Sequence, residues 1–421
     1  KKTPTLLPYV ILMASSVSFP SHAMELFINQ DTAPKASTKS LSLQKENSTS
    51  ALRTYKLSKD KLQITDQTVT LLTTDNEKVT FLKRSAEEKD GKLIWQGNLQ
   101  KTSKNAPKNN LTGPHLRDPV TLVRDGDNIA GTFRVNGQLY QLWPSTDNTV
   151  SVVKVDESKL NEEHDESSKQ VKAAAVTCSD PGDYPGDTES PSTIRVALVT
   201  TEQSRTALKD MDLHTLKSVA FSEANQGTEN SDVGITFEDA GILNAKYSEH
   251  GTFSNMLSDM RVSSGTELSQ EIDKYREQHK ADLVVMLAAT TSSNGIGYND
   301  ATKNTAFSVI RYSSLTGTYT FAHEMGHNIG VSHELAQYNG TPKRLPCYRH
   351  GYKHESEIAL ERWRTIMSYN CTSGNCDRLN MFSNPRYTYR GLPTGSREFE
   401  DSSRRLNERR KVVEDFYPPV N

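Results

Sequence analysis

Beyond its opening segment, the chain never gathers the ~20 consecutive apolar residues that a membrane-crossing helix needs, so stable membrane insertion is not expected. Net charge is almost absent: 50 Lys and Arg against 52 Asp and Glu leave −2. No global electrostatic argument therefore points to nucleic acid or to an anionic membrane. Hydrophobic residues are scarce at 34%, which suggests polar linkers beside folded domains. No internal repeat is evident. Cysteine is rare, confined to Cys178, Cys347, Cys371 and Cys376. What remains is a chain of 421 residues, enough for two or three domains of about 100–200 residues each.

The first residues predict a compartment. Lys1 and Lys2 precede the short apolar run "LLPYVILMASSVSF", and Ser21 and Ala23 supply small residues where a signal peptidase cuts. Residues 1–23 thus read as a secretory signal peptide, and the product as a soluble, secreted protein. An even number of cysteines in an exported chain favours disulfides. Cys371 and Cys376 would close a small loop, which leaves Cys178 for Cys347.

Three textures follow along the chain. Residues 24–55 are polar and without period, a loosely ordered lead-in to a β-rich domain that ends at 156. Its later part has short alternating runs separated by turn signals, and "FRVNGQLYQL" flanks an Asn-Gly turn as a hairpin does. The stretch "ESKLNEEHDESSKQVK" is charged and unpatterned; 157–177 reads as a linker, open to proteolytic cutting. From 178 to 421 strands alternate with helices, including "TIRVALVTT", "ADLVVMLAAT" and "NTAFSVIRY", which indicates a mixed sheet with helices. "TGTYTFAHEMGHNIG" follows as a helix.

That helix carries the chemistry. In "HEMGHNIGVSH", His323 and His327 are four apart and share one helical face, at the spacing zinc accepts. Gly330 tolerates the sharp turn that brings His333 back as a third ligand. Three protein ligands leave a fourth position for water, as in a catalytic zinc site. Glu324, beside the first ligand, is placed to act as general base on that water.

The spacing His323-Glu324-x-x-His327-x-x-Gly330-x-x-His333 resembles the metzincin zinc signature, and "RTIMSYN" resembles the methionine turn downstream of it. The wider sequence from 190 to 420, with "CTSGNCDRLNMFSNPRY", is similar to the bacterial reprolysin-like branch that includes peptidyl-Asp metalloendopeptidases. Glu334 stands where that branch often has Asp. The resemblance implies an α+β fold: a metzincin catalytic domain with a twisted mixed sheet and a long active-site helix, behind a β-rich pro-domain. It implies a secreted zinc endopeptidase made as a zymogen and acting on protein or peptide substrates. Met367 would lie beneath the zinc, and Tyr369 would either stabilise the reacting carbonyl or pack in the pocket wall.

Substrate would lie as a strand along a sheet edge, for which "NGIGYN" is the candidate. Cys178 has two fates: a disulfide with Cys347, or a thiolate that blocks the zinc, as cysteine does in several metzincin precursors. Arg378, Arg386 and Arg390 lie after the methionine turn and suggest a preference for acidic residues. His350 and His354 share the spacing of ligands, but Pro346 and Gly351 disfavour a helix, and they read as solvent or core histidines. Two alternatives stay open: the catalytic subunit of a secreted toxin with a separate delivery subunit, and a non-catalytic zinc-containing adhesion module.

Overall fold

The computed structural model describes residues 23–28, 41–100, 116–145, 147–165, 176–186 and 188–418. The expected signal peptide therefore lies outside the described residues, apart from Ala23. The N-terminal unit is built from β1 (Met24–Glu25), β2 (Phe27–Ile28), β3 (Thr49–Leu57), β4 (Thr68–Leu72) and β5 (Lys78–Lys89). It continues with β6 (Lys92–Leu99), β7 (Pro119–Asp125), β8 (Asn128–Val135), β9 (Gln138–Pro144) and β10 (Thr149–Val155), and a short helix α1 (Leu41–Gln44) precedes β3.

The sheet order is β1-β4-β5-β6-β7-β8-β9-β10-β3-β2. Because β1 and β2 are successive pieces of one short segment, that segment bonds to both ends of the sheet. Between them Leu26 N–H donates to Thr70 and Leu26 C=O accepts from Ser58. The sheet thus closes into a barrel, which removes both exposed edges. Trp95, Phe81, Phe133, Leu122 and Val69 fill its interior. The β8–β9 hairpin turns through Asn136 and Gly137 with φ of 51° and 83°, as an Asn-Gly turn requires.

The lead-in reading needs correction. Thr49–Leu57 is a strand between β10 and β2, with Tyr55 and Leu57 inward. Its order comes from two neighbouring strands, so its own weak period is no guide.

The second unit contains β11 (Glu163–Asp165), β12 (Ser192–Thr200), β13 (Ile235–Asn244), β14 (Leu283–Ala288), β15 (Gly295–Gly297) and β16 (Phe307–Arg311). Their order is β11-β15-β16-β14-β12-β13, with β15 antiparallel to β16 and the other pairs parallel. Helices α2 (Glu202–Leu208), α3 (Leu213–Asn230), α4 (Phe253–Met260), α5 (Glu267–His279), α6 (Thr320–Ile329) and α7 (Ser402–Glu414) surround it. All six side chains of β14 are buried, which is why "LVVMLA" shows no alternation.

The segment 157–165 also differs from the linker reading: Glu157–Lys159 form a helical turn and Glu163–Asp165 form β11 on the outer side of β15. Among its residues whose burial is described, the one buried is Glu163, so nothing apolar marks the strand. Residues 166–175 lie outside the described residues.

The two units share a core, in which Val123, Ala130, Leu139 and Trp143 of the barrel pack with Val219, Phe221 and Met325. Buried in this junction, Glu223 on α3 accepts from the Thr132 hydroxyl and the Gly317 N–H (2.8 Å). Burial pushes its carboxyl up to about 7, against the lowering effect of those two donors and of Arg134. Arg134 is itself paired with Glu157, and Tyr319 packs under its guanidinium.

A carboxyl raised in the folded state contributes stability that is intact below its unfolded pKa and is lost as pH rises through about 7. The melting temperature of the intact chain is therefore expected to fall from pH 5 to pH 8. Asp282, also pushed up to about 7 by burial, adds the same sign. Glu223→Gln should flatten the slope relative to wild type; identical slopes in paired calorimetry would remove Glu223 from the account.

Candidate metal centre and substrate cleft

Helix α6 begins at Thr320 because Tyr319 takes φ 63°, and it ends at Gly330 with φ 125°. It has 10 residues, shorter than the expected long active-site helix, since its length is set only by the turn that carries the ligands. A side chain at Gly330 would be strained by that φ and would strike Asp300. Past this turn the chain returns His333 to the helix face that holds His323 and His327.

The structure brings the three histidines together. His333 Nε2 lies 3.1 Å from His323 Nε2 and 3.0 Å from His327 Nε2, and all three are buried. His323 Nδ1 donates to Ile366 C=O at 2.8 Å, and His327 Nδ1 donates to Val331 C=O at 2.9 Å. With the proton on Nδ1, Nε2 of each carries a lone pair into the common space. Burial pushes the His323 imidazole well below 6.5, toward the neutral form a ligand requires. Three imidazole nitrogens converging without room for their own protons form a donor set suited to a divalent cation, and zinc fits it.

Other residues hold this set in place. Met367 is fully buried in the turn after Ile366, with its sulfur so close to α6 that a Cβ at Gly326 would lie 2.9 Å from it. Glu334 accepts from Tyr369 N–H at 3.0 Å and pairs with Lys353 at 3.2 Å, tying the third ligand's loop to the methionine turn. His350, read from sequence as solvent or core, is buried and donates from Nδ1 to His333 C=O at 2.7 Å. It is thus a support for the third ligand. His354 stacks on Trp363 instead.

Glu324 lies against β15. A Cβ at Gly295 would come within 2.2 Å of its Oε1, and one at Gly297 within 3.0 Å of its Oε2. Only bare backbone at this edge leaves room for the carboxylate.

The same edge holds β11, which pairs Glu163 with Gly295 and His164 with Ile296. The Glu163 carboxylate is met by Arg378 in a two-pronged pair (Nη1–Oε1 2.9 Å, Nη2–Oε2 2.7 Å) and by the Thr320 hydroxyl at 2.6 Å. Burial pushes this carboxyl up, but the Arg378 guanidinium, His323 and the Thr320 hydroxyl together outweigh it and hold the group well below the usual carboxylate range. The Tyr369 hydroxyl donates to Glu163 C=O, and its ring sits 4.4 Å from that of His333.

Of the three arginines singled out, only Arg378 faces this site. Arg386 pairs with Asp401, and Arg390 donates to Leu360 C=O. Sequence reasoning missed Glu163; its signal was at most an acid inside a charged run.

Cys178 is joined to Cys347 and Cys371 to Cys376, so neither partner of the first pair is a thiolate free to meet a metal. The first bond ties residues 176–180 to the loop following His333.

Residues 190–383 match metallo-peptidase family M12, of the reprolysin type. The chain is similar to a peptidyl-Asp metalloendopeptidase of Stenotrophomonas maltophilia (strain K279a), with 35% identity over 78% of each chain. It is similar too to a peptidyl-Asp metalloendopeptidase of Xanthomonas campestris pv. campestris, at 35% identity over 82% of this chain and 78% of that one. With a histidine triad fit for a metal inside the matched segment, the chain belongs to the bacterial reprolysin-like zinc metalloendopeptidases of family M12.

Proposed function

We propose that the chain is the precursor of a secreted endopeptidase that cuts proteins beside acidic residues. Residues 24–156 act as its pro-domain, and the catalytic domain starts near Cys178. The observation that carries this reading is the convergence of His323, His327 and His333 at helix α6, whose Glu324 carboxylate lies against the glycine backbone of β15. An extended peptide along that backbone meets base and metal site together.

His323, His327 and His333 would hold the zinc. Zinc in such a site supplies Lewis-acid polarisation of a peptide carbonyl and of water near neutral pH. The Gly295–Gly297 backbone holds the substrate strand by main-chain hydrogen bonds and keeps the scissile bond close to Glu324. A Glu324 carboxylate oxygen takes the proton of the attacking water and passes it to the departing amine. The Tyr369 phenol, which reaches a main-chain carbonyl of β11, is placed to donate to the carbonyl oxygen as charge develops there. The acidic preference draws on the relatives' name and on the buried guanidinium of Arg378 beside the site.

Maturation is proposed within 166–177, since Glu157 is paired with Arg134 of the barrel and Glu163–Asp165 are paired with β15. The test is to purify the exported protein, sequence its N-terminus and profile it on a mixed peptide library with and without a zinc chelator. Expected are a start between residues 166 and 178, chelator-sensitive cutting, and Asp or Glu enriched beside the cut. A start near residue 24 would make the barrel a permanent part of the enzyme, and cut sites without acidic neighbours would sink the specificity.

A further inference from the structure

We propose that Arg378 is the residue that reads the substrate's acidic side chain, and that Glu163 fills its place in the uncut chain as an internal pseudo-substrate. The proposal rests on the acid-directed reading above and adds the residue responsible and its built-in occupant.

Strand β11 occupies the edge on which an extended peptide would lie, running parallel to β15. Its backbone pairs with Gly295–Gly297, and Glu162 C=O accepts from Asn294 N–H at 3.2 Å and from the Ser293 hydroxyl at 2.7 Å. The Glu163 carbonyl takes the Tyr369 hydroxyl. The Glu163 side chain enters the protein, 5% exposed, whereas Glu162 before it faces solvent.

The pocket it enters is built for a carboxylate. Both prongs of the Arg378 guanidinium meet the two oxygens, and the Thr320 hydroxyl and Asn294 amide (3.5 Å) add donors to Oε1. Such a two-pronged pair is directional as well as strong.

Arg378 does not depend on Glu163 for its position. Nη1 also donates to Thr318 C=O at 2.7 Å, and Nη2 to Ile366 C=O, the carbonyl that also fixes the first histidine. These acceptors belong to the second unit and stay when β11 leaves. The guanidinium, 3% exposed in the intact chain, would then face the cleft with its carboxylate gone. A buried cation without a counter-charge is strongly disfavoured, so an incoming Asp or Glu is selected over a neutral side chain of the same shape.

The test uses the full chain loaded with zinc and allowed to mature, assayed on two fluorogenic peptides that differ only as Asp or Asn beside the cut. Wild type should favour Asp, and Arg378→Gln should lower the Asp-over-Asn ratio of kcat/KM by at least about tenfold. Arg378→Lys, which keeps the charge but not the fork, should lower it less. Zinc content is measured for each variant, because Arg378 Nη2 lies 3.0 Å from His323 Nδ1.

A second readout avoids activity. In intact chain kept uncut by Glu324→Gln, adding Glu163→Gln should speed amide exchange of residues 295–297 at least about tenfold, because β11 loses its anchor. A wild-type preference for Asp that survives in both Arg378 variants overturns Arg378 as the reader and leaves the acid-directed reading standing. No acidic preference in wild type fells that reading first, and Arg378 as reader with it. Unchanged exchange in Glu163→Gln overturns the pseudo-substrate role in either case.

Discussion

Replacing Glu324 by Gln is expected to leave about one zinc per chain and to remove nearly all peptide hydrolysis. The carboxylate is not among the converging ligand atoms, so the metal site keeps its three imidazoles. Gln has the same shape, and shape matters where a Gly295 Cβ would come within 2.2 Å of Oε1. What the amide lacks is basicity: it can neither accept the proton of the attacking water nor return it to the amine. General-base assistance is worth about 100- to 10,000-fold, and the loss should appear in kcat more than in KM, because the edge strand that binds substrate is untouched. Metal analysis and a fluorogenic peptide assay on one preparation check it. Full zinc with activity within about threefold of wild type would remove Glu324 from the role.

Replacing His333 by Ala should instead empty the site. His323 and His327 both stand on α6, which folds around its own hydrogen bonds, and two imidazoles alone hold zinc weakly. His333 comes from outside the helix and completes the set. Zinc affinity should fall by well over the ~10- to 100-fold typical of losing an outer partner. Such an outer partner is His350, which bonds to His333 C=O. Competition with a chelator of known affinity measures both: His350→Ala within that lower range, His333→Ala far beyond it. Equal losses in the two variants would show that His333 acts through its loop and not as a ligand.

The zinc motif was legible because its parts are local. Two ligands one turn apart, a glycine that must take positive φ and a third ligand shortly after can be read within eleven residues. The same holds for the Asn136–Gly137 hairpin and for the apolar run of β14. The joining of Cys178 to Cys347 was legible for another reason, since the short Cys371–Cys376 loop left it as the natural remainder.

Arg378 and Glu163 were not legible as a pair. They lie 215 residues apart and meet only because β11, which follows the barrel in the chain, joins the edge of the six-stranded sheet. Their segment looked like a linker for a physical reason. A strand whose partner supplies its hydrogen bonds, and which turns a paired carboxylate inward, needs no apolar period. His350, read as a solvent or core histidine, is a core one: the loop after Pro346 is irregular, as the sequence suggested, and it buries the histidine against a carbonyl.

The short connection between β10 and β11, residues 156–162, sets how the enzyme would be switched on. While the chain is whole, β11 is tethered to the cleft at an effective concentration on the order of millimolar, and no dilution weakens that contact. A cut within 166–177 changes the order of the reaction. Barrel and β11 then form one separate body, held on the catalytic body by contacts such as Glu46 with Arg311 (2.9 Å) and Arg117 with Asp377 (2.8 Å). Occupancy of the cleft becomes a two-body equilibrium governed by mass action. On the proposed reading, a cut pair at high concentration would stay together with the cleft occupied. In a large volume the same pair would separate, and on that reading dilution itself would be the activating signal.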